Sequence, residues 1–288
     1  MLASNEWTIR DHVCLITGGT SGIGRATALG LAQQGAHVVI VGRDRERGAD
    51  AVAEIKRQSG NDQIDFLLAD LSSQASIRQL AEEVLEQYPR LHVLINNAGA
   101  VYNQRETTID GIEKTFALNH LAYFLLTNLL LDRIKSSAPA RIINVSSEAH
   151  RFGTINFDDL QGTKRYRGFR AYGQSKLANV LFTYELARRL RGTGVTVNCL
   201  HPGAIASGFG RNNTGLFSSF FTIFRPFFKT PEQGAQTSIY LASSPDVSNV
   251  TSQYFSDCKA VRSNGESYNN EVAARLWQVS AGMTGLGA

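Results

Sequence analysis

Cysteine is scarce in this sequence of 288 residues, which contains only Cys14, Cys199 and Cys258. The three are widely spaced and form no C-x-x-C pair, so they indicate neither a disulfide framework nor a zinc site. We therefore predict a reducing compartment and no metal. Cys14 and Cys199 fall within strand-like apolar runs, and we expect both in the hydrophobic core.

Long hydrophobic runs are also missing. No stretch approaches the roughly eighteen apolar residues that cross a bilayer as a helix. Residues 1–12 are polar and lack the apolar centre of a signal peptide. These absences predict a cytoplasmic protein that does not span a membrane.

Neither sign of charge dominates, since 29 Lys and Arg residues stand against 25 Asp and Glu residues, for a net charge of +4. Apart from short groups at 42–47 and 163–170 the basic residues are scattered, whereas a nucleic-acid-binding protein usually gathers them on one stripe. We predict no nucleic-acid partner. The balance suits an anionic cofactor equally well, and 43% hydrophobic residues can form a sizeable core.

Short apolar runs alternate with helical patterns from residue 12 to residue 203. The strand-like runs are 12–19, 37–43, 64–71, 91–99, 140–147 and 195–203, and the helix-like runs are 23–36, 44–60, 74–88, 111–137 and one that contains Tyr172. This alternation is typical of a parallel sheet covered on both faces. It predicts an α/β fold, a doubly wound Rossmann sheet of about seven strands with helices on both faces, in a single domain over residues 1–288.

A glycine-rich turn, "TGGTSGIG" at residues 17–24, joins the first strand to the first helix. Glycine lets the main chain approach a pyrophosphate, and the amino end of a helix offers free N–H groups and a positive dipole. Tight turns also favour glycine, but the position at the first strand–helix junction favours a dinucleotide. The residues predicted to contact it here are Gly18, Thr20, Ser21, Gly22, Ile23 and Gly24.

The end of the second strand indicates which dinucleotide binds. An NAD site usually has an acidic residue there for the ribose 2′-hydroxyl, whereas here Gly42 is followed by Arg43. A guanidinium can pair with a 2′-phosphate, so we predict NADP. Asp44 is the competing candidate, and we interpret it as the amino-terminal cap of the next helix.

Several short motifs occur together in this order: residues 17–24, "NNAG" at 96–99, Asn119, "NVSS" at 144–147, and Tyr172-x-x-x-Lys176. With them the chain resembles the short-chain dehydrogenase/reductase family over roughly residues 11–260. The stretches 157–182, 185–197, 201–203 and 254–259 are similar to the retinol dehydrogenase branch of that family.

The resemblance implies a catalytic role for four residues. Tyr172 would exchange a proton with the substrate oxygen, Lys176 would bind the nicotinamide ribose and lower the tyrosine's pKa, and Ser147 would hydrogen-bond the substrate oxygen. Asn119 would continue a relay through its main-chain carbonyl and water. Further cofactor contacts are implied for Asp70, Leu71, Asn97, Ala98, Gly99, Pro202, Gly203 and Ser207, together with Tyr172 and Lys176.

The spacing of Tyr172 and Lys176 has a physical rationale of its own, because residues four apart share one face of a helix. A phenol titrates near pH 10, too high for a base at neutral pH. An ammonium roughly 5 Å away is worth roughly 3 kcal/mol at an effective dielectric of about 20, or about two pKa units. Structural alternatives remain: Ser147 could cap a strand end, Asn119 could be an ordinary polar residue, and His150 and His201 are expected to be structural.

After Gly203 the alternation ends. We predict that residues 204–230 form a substrate-covering lid, and the phenylalanine-rich stretch 213–228 implies an apolar substrate. The same phenylalanines could instead pack inside the protein or at a subunit contact. They could also contact a membrane surface peripherally, which would make the protein membrane-associated.

The leading hypothesis is an NADP(H)-dependent oxidoreductase that interconverts a carbonyl and an alcohol on a hydrophobic substrate of retinoid type or similar. One alternative is a regulator that senses NADP(H) without catalysis; another is a reductase of steroid, quinone or pigment carbonyls. By family analogy, a homodimer would form through the helices that carry Asn119 and Tyr172.

Overall fold

The computed structural model describes residues 7–203 and 229–287. Its strands are β1 Val13–Thr17, β2 His37–Gly42, β3 Ile64–Leu68, β4 Val93–Asn96, β5 Ala140–Val145, β6 Val195–His201, β7 Tyr254–Ser256 and β8 Lys259–Val261. Its α-helices are α1 Gly22–Ala32, α2 Arg45–Ser59, α3 Gln74–Gln87, α4 Lys114–Phe116, α5 Ala122–Ser136, α6 Gly168–Arg189, α7 Pro231–Ser243 and α8 Asn270–Thr284. Ser207, the stretch 213–228 and most of the predicted lid lie outside the described residues.

One eight-stranded sheet organises the described part of the chain, in the order β3-β2-β1-β4-β5-β6-β7-β8. Strands β1 to β7 pair in parallel, and β8 is antiparallel to β7. The predicted α/β sheet is confirmed. Lys259–Val261 had no strand-like signal because all three of its residues are exposed at the sheet edge.

Alternate strand residues feed two separate cores. Leu15 of β1 packs in the layer with α3, α5 and α6, whereas its neighbours Cys14 and Ile16 pack in the layer with α1, α2 and α7. Both layers are built mainly from fully buried aliphatic side chains. The sheet is therefore covered on both faces, as the long apolar strand runs require.

Side-chain caps fix where several helices begin. The Asp44 carboxylate accepts from the Arg47 N–H at 3.1 Å at the start of α2, and Ser73 caps α3. Thr230 and Gln233 form a reciprocal capping box on α7. The cap predicted for Asp44 is confirmed.

The predicted helix at 111–137 is interrupted. Between α4 and α5 the chain forms a π-helical turn over Ala117–Leu121, and the Ala122 N–H bonds to the Ala117 carbonyl. Such a turn holds one residue more than an α-helical turn and is frequent at functional sites. Here it carries Asn119.

The outer faces of α5 and α6 are covered by α8. The Trp277 ring lies 4.9 Å from that of Phe124 and 5.8 Å from that of Phe182, and the Arg189 guanidinium stacks on it at 4.1 Å. A homodimer through α5 and α6, expected by analogy, would therefore have to displace α8 or use another surface. Among the described residues, no helix combines the length and apolarity needed to cross a bilayer.

Candidate active site

The predicted site residues that the structure describes lie at one edge of the sheet. They follow the carboxyl ends of β1, β2, β3, β4, β5 and β6, or lie on the helices that begin there. The strand order reverses direction between β1 and β4, and in open α/β sheets such a point opens a crevice for ligands. Sequence motifs that are far apart in the chain are thus brought to one crevice.

The glycine-rich turn is packed tightly against the segment that follows β4. A Cβ atom on Gly24 would lie 2.2 Å from the Gly18 carbonyl oxygen and 2.6 Å from the Asn97 amide nitrogen. Gly18 also has a φ of +67°, which disfavours residues with a side chain. Asn97 fixes the contact by donating to the Thr17 carbonyl at 2.8 Å. Glycine at these two positions therefore keeps the main chain close and the crevice open.

The amino end of α1 differs from those of α2 and α3. Its N-cap Ser21 makes no side-chain cap, and no acidic residue lies in its first turn. The first N–H groups of α1 are consequently left for another acceptor. Because an anion is favoured at this end of a helix dipole, the residues present are compatible with a cofactor pyrophosphate.

Arg43 lies where a 2′-phosphate could be recognised. It is exposed just after β2, and it makes no ion pair or hydrogen bond within the described ranges. Thr20 of the glycine-rich turn reaches the same place, since a Cβ on Gly42 would lie 2.6 Å from its methyl carbon. The Asp44 carboxylate is engaged at the start of α2. Arg43 is thus available to an anionic ligand beside the turn.

The remaining predicted cofactor residues differ in exposure and in the hydrogen-bonding groups that they leave free for a ligand. Asp70 is exposed after β3, and one carboxylate oxygen accepts from Ser72, which leaves the other for a ligand. Leu71 is buried beside it. Pro202 and Gly203 follow β6, with Gly203 at φ +92°. These contacts stay predictions, as does that of Ser207 outside the described residues.

Ser147 and Tyr172 meet at the end of β5. Burial raises the pKa of the Tyr172 phenol, and a hydrogen bond from the Ser147 hydroxyl opposes that rise. The Ser147 oxygen also accepts from the Ala149 N–H at 3.2 Å, where it caps a short 3-10 helix over Glu148–Phe152. The capping alternative and the site role are therefore compatible, because the hydroxyl accepts one bond and donates another.

Lys176 is buried deep in the crevice, with 3% of its surface exposed. Its Nζ donates to the Val145 carbonyl at 3.0 Å and lies 5.7 Å from the ring centroids of both Tyr172 and Tyr123. A Cβ on Gly99 would lie only 3.4 Å from this nitrogen. Two aromatic faces within about 6 Å partly replace the water that the ammonium loses.

The expected pKa shift of the tyrosine is wrong in direction. Burial raises the pKa of Tyr172 to about 12, and it lowers the pKa of Lys176 to about 7. The physical reason is that burial penalises the phenolate and the ammonium alike. A spacing of four residues indicates that the two groups are close, but it carries no information about the desolvation of either one.

Asn119 lies across Gly99 from Lys176. Its side chain accepts from the Ala100 N–H at 2.8 Å and donates to the Ala100 carbonyl at 2.9 Å and the Ser175 hydroxyl at 3.0 Å. It is fully buried and fully bonded, so it is more than an ordinary polar residue on an apolar helix. The water relay expected from its main-chain carbonyl stays a prediction.

Asn179 is part of the same network, and sequence reasoning missed it. Its side-chain amide donates to the Asn119 carbonyl at 2.9 Å and to the Val145 carbonyl at 3.4 Å. It therefore joins the π-helical turn to the carbonyl that receives the Lys176 ammonium. A signal was present: Asn179 is the one polar residue in the otherwise apolar stretch 177–182, three positions after Lys176.

His150 and His201 are structural, as expected. The His150 ring bonds to the Ser147 carbonyl at 2.7 Å and accepts from the Asn264 N–H at 3.0 Å, so both nitrogens are occupied. His201 accepts from the Glu148 N–H at 3.2 Å. Burial lowers the pKa of both histidines. Both brace the segment after Ser147.

Comparisons of sequence and of structure with known proteins both point to one family. The family model described as short chain dehydrogenase matches residues 12–215. Among solved structures, the Pseudomonas aeruginosa RhlG/NADP active-site complex superposes with a TM-score of 0.70 at 30% identity, over 87% of this chain and 96% of that one.

Two curated relatives match almost the whole chain. Retinol dehydrogenase 12 of Mus musculus is 48% identical over 278 residues, which are 96% of this chain and 88% of the relative. Retinol dehydrogenase 14 of Homo sapiens is 47% identical over an alignment 288 positions long that covers 94% of this chain and 86% of the relative.

We predict that Asn179→Ala destabilises the protein by about 1–3 kcal/mol, because it removes a buried donor from the Asn119 carbonyl and a buried partner from the His120 ring. Urea unfolding measures this loss. Asn103→Ala, which changes an exposed asparagine, should stay within about 0.5 kcal/mol of the wild type. Equal stability of the two variants would contradict the bridging role.

A second prediction concerns the pH dependence of stability. The pKa of Lys176 is about 7 in the folded protein, against roughly 10.4 in an unfolded chain. Between these values the unfolded state binds more protons, so the free energy of unfolding should rise with pH. Urea unfolding measured from about pH 7 to about pH 10 should show this rise for the wild type and should not show it for Lys176→Met. The control Lys259→Met removes an exposed lysine and should behave like the wild type. Parallel curves for all three would refute it.

Proposed function

Since the chain belongs to the short-chain dehydrogenase family, in its retinol dehydrogenase branch, we propose that it interconverts a carbonyl and an alcohol on a hydrophobic substrate with NADP(H). The observation that carries the proposal is the meeting of Ser147, Tyr172 and Lys176 beside the uncapped end of α1. A non-catalytic sensor of NADP(H) would have no use for a serine–tyrosine hydrogen bond next to a buried ammonium.

The proton chemistry of the site supports the direction of carbonyl reduction. The hydride is supplied by NADPH when it is bound. A phenol whose pKa is about 12 stays protonated at neutral pH, so Tyr172 can give its proton to the alkoxide that develops on the substrate. The Ser147 hydroxyl, which bonds to the phenol, has a single proton and can turn it from the phenol oxygen to the substrate oxygen.

The proposed preference for NADP rests on Arg43. The guanidinium has no competing partner among the described residues, and the nearby carboxylate of Asp44 is engaged as a helix cap. An exposed arginine beside the glycine-rich turn can pair with a 2′-phosphate in bidentate fashion. The solved RhlG complex contains NADP, which is consistent with such a site in this family.

The proposed substrate is an apolar aldehyde, ketone or alcohol, and retinal and retinol are the first candidates. The names of the curated relatives support the retinoid class, and the phenylalanine-rich stretch 213–228 supports an apolar lid over residues 204–230. Reduction of steroid, quinone or pigment carbonyls by the same groups is the alternative. A substrate panel separates these classes.

Location and partners follow as predictions. We propose a cytoplasmic protein with no nucleic-acid partner, and peripheral membrane contact through residues 213–228 stays the alternative to their role in the lid. A homodimer also stays a prediction. Because α8 packs on the outer faces of α5 and α6, a subunit contact through another surface is favoured.

Tyr172→Phe should lower the rate of NADPH consumption by at least about 10²-fold, because it removes the hydroxyl proposed to supply the proton. The measurement is NADPH absorbance against retinal, aliphatic aldehydes, steroid ketones and quinones. NADPH binding, followed by its fluorescence, should persist, since the mutation removes only the hydroxyl.

Tyr240→Phe is the matched control. It removes a hydroxyl from α7, which carries none of the proposed catalytic residues, so its rate should equal that of the wild type. Retained activity in Tyr172→Phe would sink the proposed mechanism. A wild type that binds NADPH but reduces no carbonyl would favour the sensor.

Arg43→Ala should weaken NADPH binding by about 10- to 100-fold and leave NADH binding nearly unchanged, because only the 2′-phosphate loses a charged partner. The affinities are measured by titrating cofactor fluorescence. Arg45→Ala removes an exposed arginine from the next helix and should change neither affinity. Better use of NADH than NADPH by the wild type would overturn the assignment.

A further inference from the structure

A short segment before the catalytic helix is strongly basic. Residues 163–170, "TKRYRGFR", contain four basic residues and no acidic residue. The four side chains are exposed, and within the described part of the chain none of them takes part in an ion pair. They are Lys164, Arg165, Arg167 and Arg170. The nearest acidic residues in sequence are Asp158 and Asp159, and Asp159 is engaged with the backbone of this turn.

Two large aromatic side chains are exposed beside these charges. Phe152 is 73% exposed and Phe169 is 52% exposed, and their ring centroids are 6.4 Å apart. One comes from the end of the 3-10 helix that follows β5, and the other from the first turn of α6. Exposed apolar side chains are common singly, but a contiguous pair next to unpaired cations indicates a contact surface.

The amino end of α6 carries positive side chains, which interact unfavourably with the helix dipole. Arg167 is its N-cap residue and Arg170 lies in its first turn, which holds no acidic residue. Positive side chains at this end are repelled by the positive end of the helix dipole. An external anionic surface would offset both repulsions.

We propose that Phe152, Phe169, Arg167 and Arg170, with Lys164 and Arg165 beside them, form a basic aromatic surface that docks on a lipid bilayer with anionic headgroups. Cationic side chains flanking interfacial aromatic rings match the negative surface and the headgroup region of such a bilayer. A nucleic acid would also attract the charges, but the two phenylalanine rings are 73% and 52% exposed and offer no hydrogen bond to a base or a phosphate, which favours lipid. This surface is separate in sequence from residues 213–228.

The basic aromatic surface lies close in sequence to two of the proposed catalytic residues. Phe152 lies five residues after Ser147, and Phe169 lies three residues before Tyr172. The surface therefore adjoins the elements that carry the two groups proposed to meet the substrate oxygen. An apolar substrate dissolved in the bilayer would be presented on the side of the protein where those groups lie.

Co-sedimentation with vesicles tests the proposal and needs neither substrate nor cofactor, so its outcome is independent of the proposed catalysis. The vesicles contain phosphatidylcholine alone, or phosphatidylcholine with roughly a quarter phosphatidylserine. The wild type should bind the anionic vesicles much more tightly. Arg167→Gln/Arg170→Gln should weaken that binding roughly 30-fold, equivalent to about 1 kcal/mol for each arginine. Phe152→Ala/Phe169→Ala should weaken it about tenfold.

Arg90→Gln/Arg191→Gln is the matched control. It removes the same charge from two exposed arginines at the opposite edge of the sheet, so it should leave vesicle binding close to that of the wild type. Equal losses in the two arginine pairs would overturn the proposal, since only overall charge would then matter. Unchanged binding in both surface variants would assign docking to another segment. Binding of duplex RNA or DNA without binding of anionic vesicles would replace the lipid with a nucleic acid.

Discussion

The burial of the Lys176 ammonium is the constraint on which the rest of the site depends. A cation with 3% of its surface exposed must find acceptors in the protein, and here they are the Val145 carbonyl and the faces of two tyrosine rings. Supplying them requires the end of β5, the Asn119 turn and α6 to meet at fixed positions. Asn179 joins two of these elements through one amide. The π-helical turn, the polar side chains within α6 and the close approach of Gly99 therefore serve one charge.

Much of the fold was predictable because its signals are local and repeated. Apolar runs of strand length alternate with helices, and a parallel sheet buried on both faces leaves this pattern in any sequence. The Asp44 cap was predictable for the same reason, since a side chain three residues before its N–H partner needs no knowledge of the tertiary structure. The convergence of the glycine-rich turn, Ser147 and Tyr172 followed from the rule that parallel strands share one carboxyl edge.

What could not be predicted depends on three-dimensional surroundings. The pKa of Tyr172 rises because burial outweighs the opposing hydrogen bond from Ser147, and burial cannot be read from a spacing of four residues. Asn179 acquires its role only when α6 lies against the Asn119 turn. The edge strand Lys259–Val261 buries no side chain, so its hydrogen bonds with β7 define it where hydrophobicity cannot.

The packing of α8 on α5 and α6 has a consequence for how the chain is made. The His120 ring bonds to Ser280 at 2.9 Å, a contact that spans 160 residues of sequence. During synthesis α5 and α6 are made long before residues 270–284, and their outer apolar face lacks the cover of α8 until then. Phe124 and Phe182 therefore lack their Trp277 neighbour until residues 270–284 have been made, and apolar surface left uncovered in this way favours aggregation.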